Sequence, residues 1–309
     1  MKKTIASLLL IAAGLLAATA AHAETLRIGY QKYGTLTILK ARGTLEPRLK
    51  ALGWDVKWTE FPAGPQLLEG LNVGAIDFGT TGEAPPVFAQ AAGANLVYVG
   101  NEPPTPTAEA IVVPKGSPIK SVADLKGKKI ALNKGSNVHY LLVKALEKAG
   151  VAYTDIQTVY LAPADARAAF ERGSVDAWVI WDPFLAAAEK QLGAQIVVDG
   201  KGLVANTQFF LAARPYAEKN PKVIAALLDE LDKTDDWASK NQAEVVKELS
   251  PLLGLSPDIV ALAVSRYSYN VEPINAKTAE AQQKIADAFH KLGLIPKPVQ
   301  IKDALVAGK

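Results

Sequence analysis

Strand-like and helix-like stretches alternate along this chain, and the alternation runs through twice before it stops. The first pass opens with "TLRIGY" (25–30), whose apolar and polar residues alternate as a strand's do. A helical stretch follows through Leu39 and Leu49. Strand-like "DVKWTEF" (55–61) comes next, then a short helix in "PAGPQLLEGLNVG" (62–74), where Leu67, Leu68 and Leu71 stand at helical spacing. "AIDFGTT" reads as a strand and "NLVYVGN" as another. Between them "APPVFAQAAG" (84–93) reads as a helix with prolines in its first turn, where a missing N–H does no harm. The loop "EPPTP" (102–106) ends this pass.

The second pass takes "AEAIVVP" (108–114), the stretch up to Leu132, "IQTVYLAP", "DAWVIW" (176–181) and "AQIVVDG" as strands. Helices are expected over 138–149, in "ADARAAFERG" and in "DPFLAAAEKQLG". In the first of these, Val138, Leu141, Leu142, Ala145, Leu146 and Ala149 share one face, which predicts a buried stripe. From 221 to 292 the chain turns helix-rich. A repeated βα rhythm predicts an α/β fold of two lobes, each a mainly parallel sheet flanked by helices, with a ligand cleft between them. We place lobe 1 at 24–109 plus 213–309 and lobe 2 at 110–212, so the chain crosses twice and the crossings form a hinge.

Residues 1–23 stand apart from this pattern. Lys2 and Lys3 precede an apolar run from Ile5 to Ala18, and Ala21, His22 and Ala23 follow as a small-x-small cleavage site. The run is short for a membrane span, so a cleaved secretory leader is expected, and the mature chain then begins near Glu24. Losing Lys2 and Lys3 lowers the formal charge from +3 to +1, which gives no electrostatic case for nucleic acid or an anionic membrane. Cysteine is absent, which excludes thiol catalysis and most zinc sites. With only His139 and His290 left in the mature chain, no metal or other cofactor is expected.

The chemistry gathers where strands end and helices begin. In "LNKGSNVHYLL" (132–142), Gly135, Ser136 and Asn137 precede the apolar stripe, and His139 stands where a capping box would place Glu or Gln. The first N–H groups of a helix lack internal partners and carry the positive end of the dipole, so a small polar turn with no acid suits an outside anion. An ordinary Ser or Asn cap explains the same residues. "FGTTGEAPP" (78–86) repeats the plan with Thr81 and Gly82. In "VIWDPF" (179–184) Trp181 ends a strand, Asp182 caps the next helix and Pro183 takes its first position. "IGYQK" (28–32) adds Gln31 as an amide donor. Ligands of open α/β sheets bind beyond the carboxyl ends of strands, so these segments converge on one cleft. Donors there would hold an anionic head. Trp181, with Tyr30 or Phe209, would cover an apolar tail worth about 0.8 kcal/mol per buried methylene. Glu83 reads as a first-turn acid. Ser136 and His139 lie too close along one helical turn to align as a catalytic relay, so no enzyme is expected.

"RIGYQK", "EFPAGPQLLEGLNVGAIDFGTTGEAPPVFAQAAGANLVYVG", "SPIKSVADLKGKKIAL", "KGSNVHYLL", "TDIQTVYLAPADARAAFERGSVDAWVIWDPF" and "FFLAARPYAEKNP" together resemble the aliphatic sulfonate-binding proteins of bacterial ABC importers. The resemblance covers nearly all of the mature chain and weakens in the helical tail. It implies a type II periplasmic binding-protein fold, a periplasmic monomer, and delivery of alkanesulfonates to a membrane permease and its ATPase. Relatives bind taurine, nitrate, bicarbonate or a pyrimidine precursor. The family pattern carries over to Gln31, Thr81, Gly82, Ser136, Asn137, His139, Trp181 and Asp182 as pocket residues, beside Gly135 in the same turn. Asn137 departs from it, since a second Ser is familiar there.

Overall fold

The computed structural model describes residues 23–306, so the leader expected over residues 1–23 lies, but for Ala23, outside the described residues. Ten strands form two five-stranded sheets. β1 (Glu24–Tyr30), β2 (Trp54–Glu60), β3 (Phe78–Gly82) and β4 (Leu96–Asn101) belong to the first. β5 (Glu109–Val113), β6 (Lys129–Leu132), β7 (Gln157–Tyr160), β8 (Ala177–Trp181) and β9 (Gln195–Asp199) make up the second, and β10 (Gln208–Ala213) returns to the first. The orders are β2-β1-β3-β10-β4 and β7-β6-β8-β5-β9. β1 runs parallel to β2 and β3, and β6 parallel to β7 and β8, while β10 and β5 run against both their neighbours. Each sheet is therefore mainly parallel with one reversed strand.

The reversed strands mark the crossings. The chain leaves the first sheet after β4 and enters the second at β5, and it leaves β9 to re-enter the first at β10. β10 corrects the sequence reading, which keeps residues up to 212 in the second half. Gln208 to Ala212 pair with Gly82 to Phe78 across β3. "QFFLAA" carries no alternation, because a strand buried on both faces is apolar throughout, and all but its last residue are buried. The crossings 102–108 and 200–207 touch: Thr105 N–H donates to Ala205 O at 3.1 Å, Asn206 Nδ2 to Thr105 O at 2.9 Å, and Gly200 N–H to Pro106 O at 2.9 Å.

Helices cover both sheets. Asn137–Ala149 buries Val138, Leu141, Leu142, Ala145 and Leu146 as its spacing predicts, while Ala149 at its last turn is exposed. Each large side chain buried there is worth about 1.5–3 kcal/mol. Gly150 ends the helix in the left-handed conformation, φ 67°. The helical tail joins both halves. Val245, Leu249 and Val260 pack with Ile38 beside the first sheet, whereas Ile259 and Ala263 pack with Ala186 and Ala187 beside the second. Phe289 meets both Phe88 and Tyr140. Among the described residues no helix is long and apolar enough to cross a membrane.

Candidate functional site

Four strand ends face one cavity between the sheets, about 610 Å³ of empty space including its mouth. β1 brings Gln31, β3 brings Gly82, the turn after β6 brings Ser136 and Asn137, and β8 brings Trp181 and Asp182. These are carboxyl ends, where an open α/β sheet presents loops and helix starts to a ligand. Six of the nine residues singled out from sequence therefore line one space. Thr81, Gly135 and His139 do not line it.

The departures have physical causes. Thr81 is fully buried and its hydroxyl donates to Gly82 O at 3.0 Å. Gly135 adopts φ 76°, a conformation that favours glycine, and its N–H donates to His139 Nδ1 at 3.2 Å. With Nδ1 accepting, the imidazole proton sits on Nε2 and is donated to Tyr153 Oη at 2.8 Å. Burial, helped by the charge of Lys134, pulls His139 down to about 4, so it is neutral at physiological pH. Its ring packs against Phe88 and Phe289, 5.9 and 5.4 Å away between centroids. His139 thus shapes the turn without reaching the cavity. Tyr30 and Phe209 also lie in the first sheet's cores, against Trp58 and Tyr98 respectively.

Asn137 holds the two helix starts together. Its Oδ1 accepts from Ala84 N–H at 3.3 Å, and its Nδ2 donates to Asn206 Oδ1. Gly82 leaves room for it, because a Cβ there would fall on the Asn137 amide and displace it. Asn206 sits in the left-handed region at φ 52° and also accepts from Gln208 Nε2 at 3.2 Å. The Ala84 amide, at the start of the helix after β3, is thus taken by a neutral acceptor of the protein. The first-turn N–H groups of Asn137 and Val138 have no acceptor within their own helix, and that turn contains no acid. Ser136 Oγ donates to Asn133 O at 2.7 Å, and Gln31 Nε2 to Thr80 O at 3.1 Å.

Two carboxyls also line the cavity. Asp182 accepts from Ala186 N–H at 2.9 Å and so caps the helix as expected, but the helix begins at Phe184 with Pro183 as its N-cap, one residue later than the sequence suggests; Asp182 also meets Arg266 Nη1 at 3.2 Å. Burial pushes it up to about 7, against the pull of Arg266. Glu102, on the first crossing, is raised well above the carboxylate range by burial and by the charge of Asp235. Glu83 points elsewhere: Oε2 accepts from Thr207 N–H at 3.0 Å, and burial raises it to about 7. Among the described residues no three His, Asp or Glu side chains gather as a metal site needs.

Sequence reasoning missed Tyr33, Glu102, Asn206, Gln208, Tyr267 and Tyr269, all of which line the cavity. Glu102 belongs to the "EPPTP" loop, which is visible as a break. Nothing local marks Tyr267 and Tyr269, since they arrive from the helical tail.

Residues 50–245 match the NMT1/THI5-like family. A protein of Escherichia coli K12 named for binding aliphatic sulfonates is 47% identical over 307 residues, 99% of this chain and 95% of that protein.

The chain belongs to the NMT1/THI5-like family, among the aliphatic sulfonate-binding proteins.

Solved structures of this family share its fold. The alkanesulfonate-binding protein SsuA from Xanthomonas axonopodis pv. citri, bound to MOPS, is 44% identical with a TM-score of 0.88, over 91% of this chain and 98% of that one. The periplasmic aliphatic sulphonate binding protein SsuA from Escherichia coli is 48% identical with a TM-score of 0.82, over 93% of this chain and 94% of that one.

Proposed function

We propose that this chain is the periplasmic solute-binding component of an ABC importer, capturing aliphatic sulfonates and delivering them to a membrane permease and, through it, to the ATPase. The observation that carries this reading is the convergence of Gln31, Gly82, Ser136 and Asn137 from both sheets on one cavity. The sulfonate head sits against Ser136, Asn137 and the open amides of their helix, and Trp181 covers the apolar tail. A sulfonate is permanently ionised and weakly basic, so neutral donors serve it without the desolvation cost of a buried cation. The two halves, meeting at crossings 102–108 and 200–207, close on the ligand because the closed form binds it better. Residues 1–23 are the cleaved leader that sends the chain to the periplasm.

Binding without turnover fits the side chains. Ser136 Oγ is engaged by Asn133 O, and both ring nitrogens of His139 are engaged by Gly135 and Tyr153, so no base is aimed at the hydroxyl. Isothermal titration of the mature protein with ethanesulfonate, taurine, nitrate and sulfate tests the reading. We expect a 1:1 complex with the sulfonate preferred. A preference for nitrate or sulfate would reassign the site to another small anion, and no binding of any of the four would overturn the proposal.

A further inference from the structure

One wall of the cavity carries a buried carboxyl with, among the described residues, no cation beside it. Glu102 is 5% exposed, lines the cavity, and leaves its Oε1 without a hydrogen-bond partner. Beside it Asp235 accepts from Thr35 Oγ1 at 2.5 Å and from Asn270 N–H at 2.9 Å. Asp182, the other carboxyl of the cavity, has Arg266. Among the described residues no Lys or Arg forms an ion pair with Glu102 or Asp235 or acts among the causes that move them. Tyr33 and Tyr269 line the same space, and Glu102 lies close enough to act electrostatically on both hydroxyls.

A buried carboxyl with an idle oxygen is costly unless something bonds to it. An ammonium group supplies what is missing: N–H donors for the carboxylate and a positive charge for the ring faces. An alkyl tail supplies neither. We propose that Glu102, with Tyr33 and Tyr269, forms a subsite for a protonated amine on the tail of the ligand, so that zwitterionic aminoalkanesulfonates are preferred to plain alkanesulfonates. This rests on the sulfonate reading above and narrows its substrate class. Donors at the 137–149 helix hold the negative end, and the acidic wall holds the positive end. Burial and the nearby Asp235 charge penalise a bare Glu102 carboxylate, and an arriving ammonium offsets that penalty.

The test compares 3-aminopropanesulfonate with butane-1-sulfonate, which have equal numbers of non-hydrogen atoms, by titration calorimetry on the mature protein. The wild type is expected to bind the amine at least about tenfold more tightly, and Glu102→Gln to abolish that preference. Equal or weaker binding of the amine by the wild type overturns the inference, with no variant needed. So does a Glu102→Gln protein, folded by circular dichroism, that retains the preference. Failure of both ligands to bind the wild type would overturn the sulfonate reading itself, and the inference with it. Binding of butane-1-sulfonate without preference for the amine would overturn the inference alone.

Discussion

Replacing Asn137 probes the contact between the two helix starts. Asn137→Ala removes the acceptor of Ala84 N–H and one donor to Asn206 Oδ1, while Gln208 Nε2 still serves Asn206. Each such bond contributes roughly 0.5–1.5 kcal/mol net, so two are worth about 1–3 kcal/mol. The bonds tie residues of β3 and its helix to the helix after β6, so their loss weakens the closed form. At 1.4 kcal/mol per tenfold, the Kd for ethanesulfonate should rise roughly fivefold to 150-fold. Thermal unfolding of the empty protein should change less, because the core around Val138 and Leu141 is untouched. Asn137→Asp sharpens the experiment. It keeps an acceptor for Ala84 but sets a carboxylate at the proposed anion site, so titration calorimetry should find no measurable sulfonate binding. An Asp variant that binds like the wild type would refute the reasoning, since no anion could then sit beside residue 137.

Three further outcomes are expected. Trp181→Ala should remove most of the fluorescence change on ligand addition. It should also flatten the gain along a series of alkanesulfonates, set at about 0.8 kcal/mol per methylene where Trp181 covers the tail; an unchanged slope would place the tail elsewhere. Arg266→Ala leaves Asp182 buried without its cation and should cost about 3 kcal/mol in chemical denaturation, with restoration by a further Asp182→Asn. His139, held at about 4 against an ordinary 6.5, favours the folded state while neutral; that stability is present above 6.5 and lost as pH falls towards 4. It amounts to about 3 kcal/mol, while Asp182 and Glu83, raised to about 7, act with the opposite sign over about 4 to 7. The difference between wild type and His139→Phe across pH 4–7 isolates the histidine, and parallel curves would contradict its burial as a neutral ring.

The legible parts of this molecule are those whose physics is local. β1 and the 137–149 helix announce themselves through alternation and through a 3.6-residue stripe, and Pro85 and Pro86 mark a helix start. Gln31, Gly82, Ser136, Asn137, Trp181 and Asp182 were within reach because a carboxyl strand end is a positional signal. β10 was not, since a wholly buried strand has no polar face to alternate with. Neither was the fate of His139: whether an imidazole on a helix's first turn faces a cleft or an aromatic core depends on Phe289, 150 residues away. Glu102 and Tyr269 meet only through the crossing and the tail, so their chemistry appears only in three dimensions.

The account depends on a negative head held between the two sheets by the turn after β6. A crystal structure of the mature protein with ethanesulfonate tests this most directly. We expect sulfonate oxygens within hydrogen-bond distance of Ser136 and of the first-turn amides of Asn137 or Val138. A sulfonate bound outside this cavity, or one whose oxygens are held by none of these groups, would contradict it.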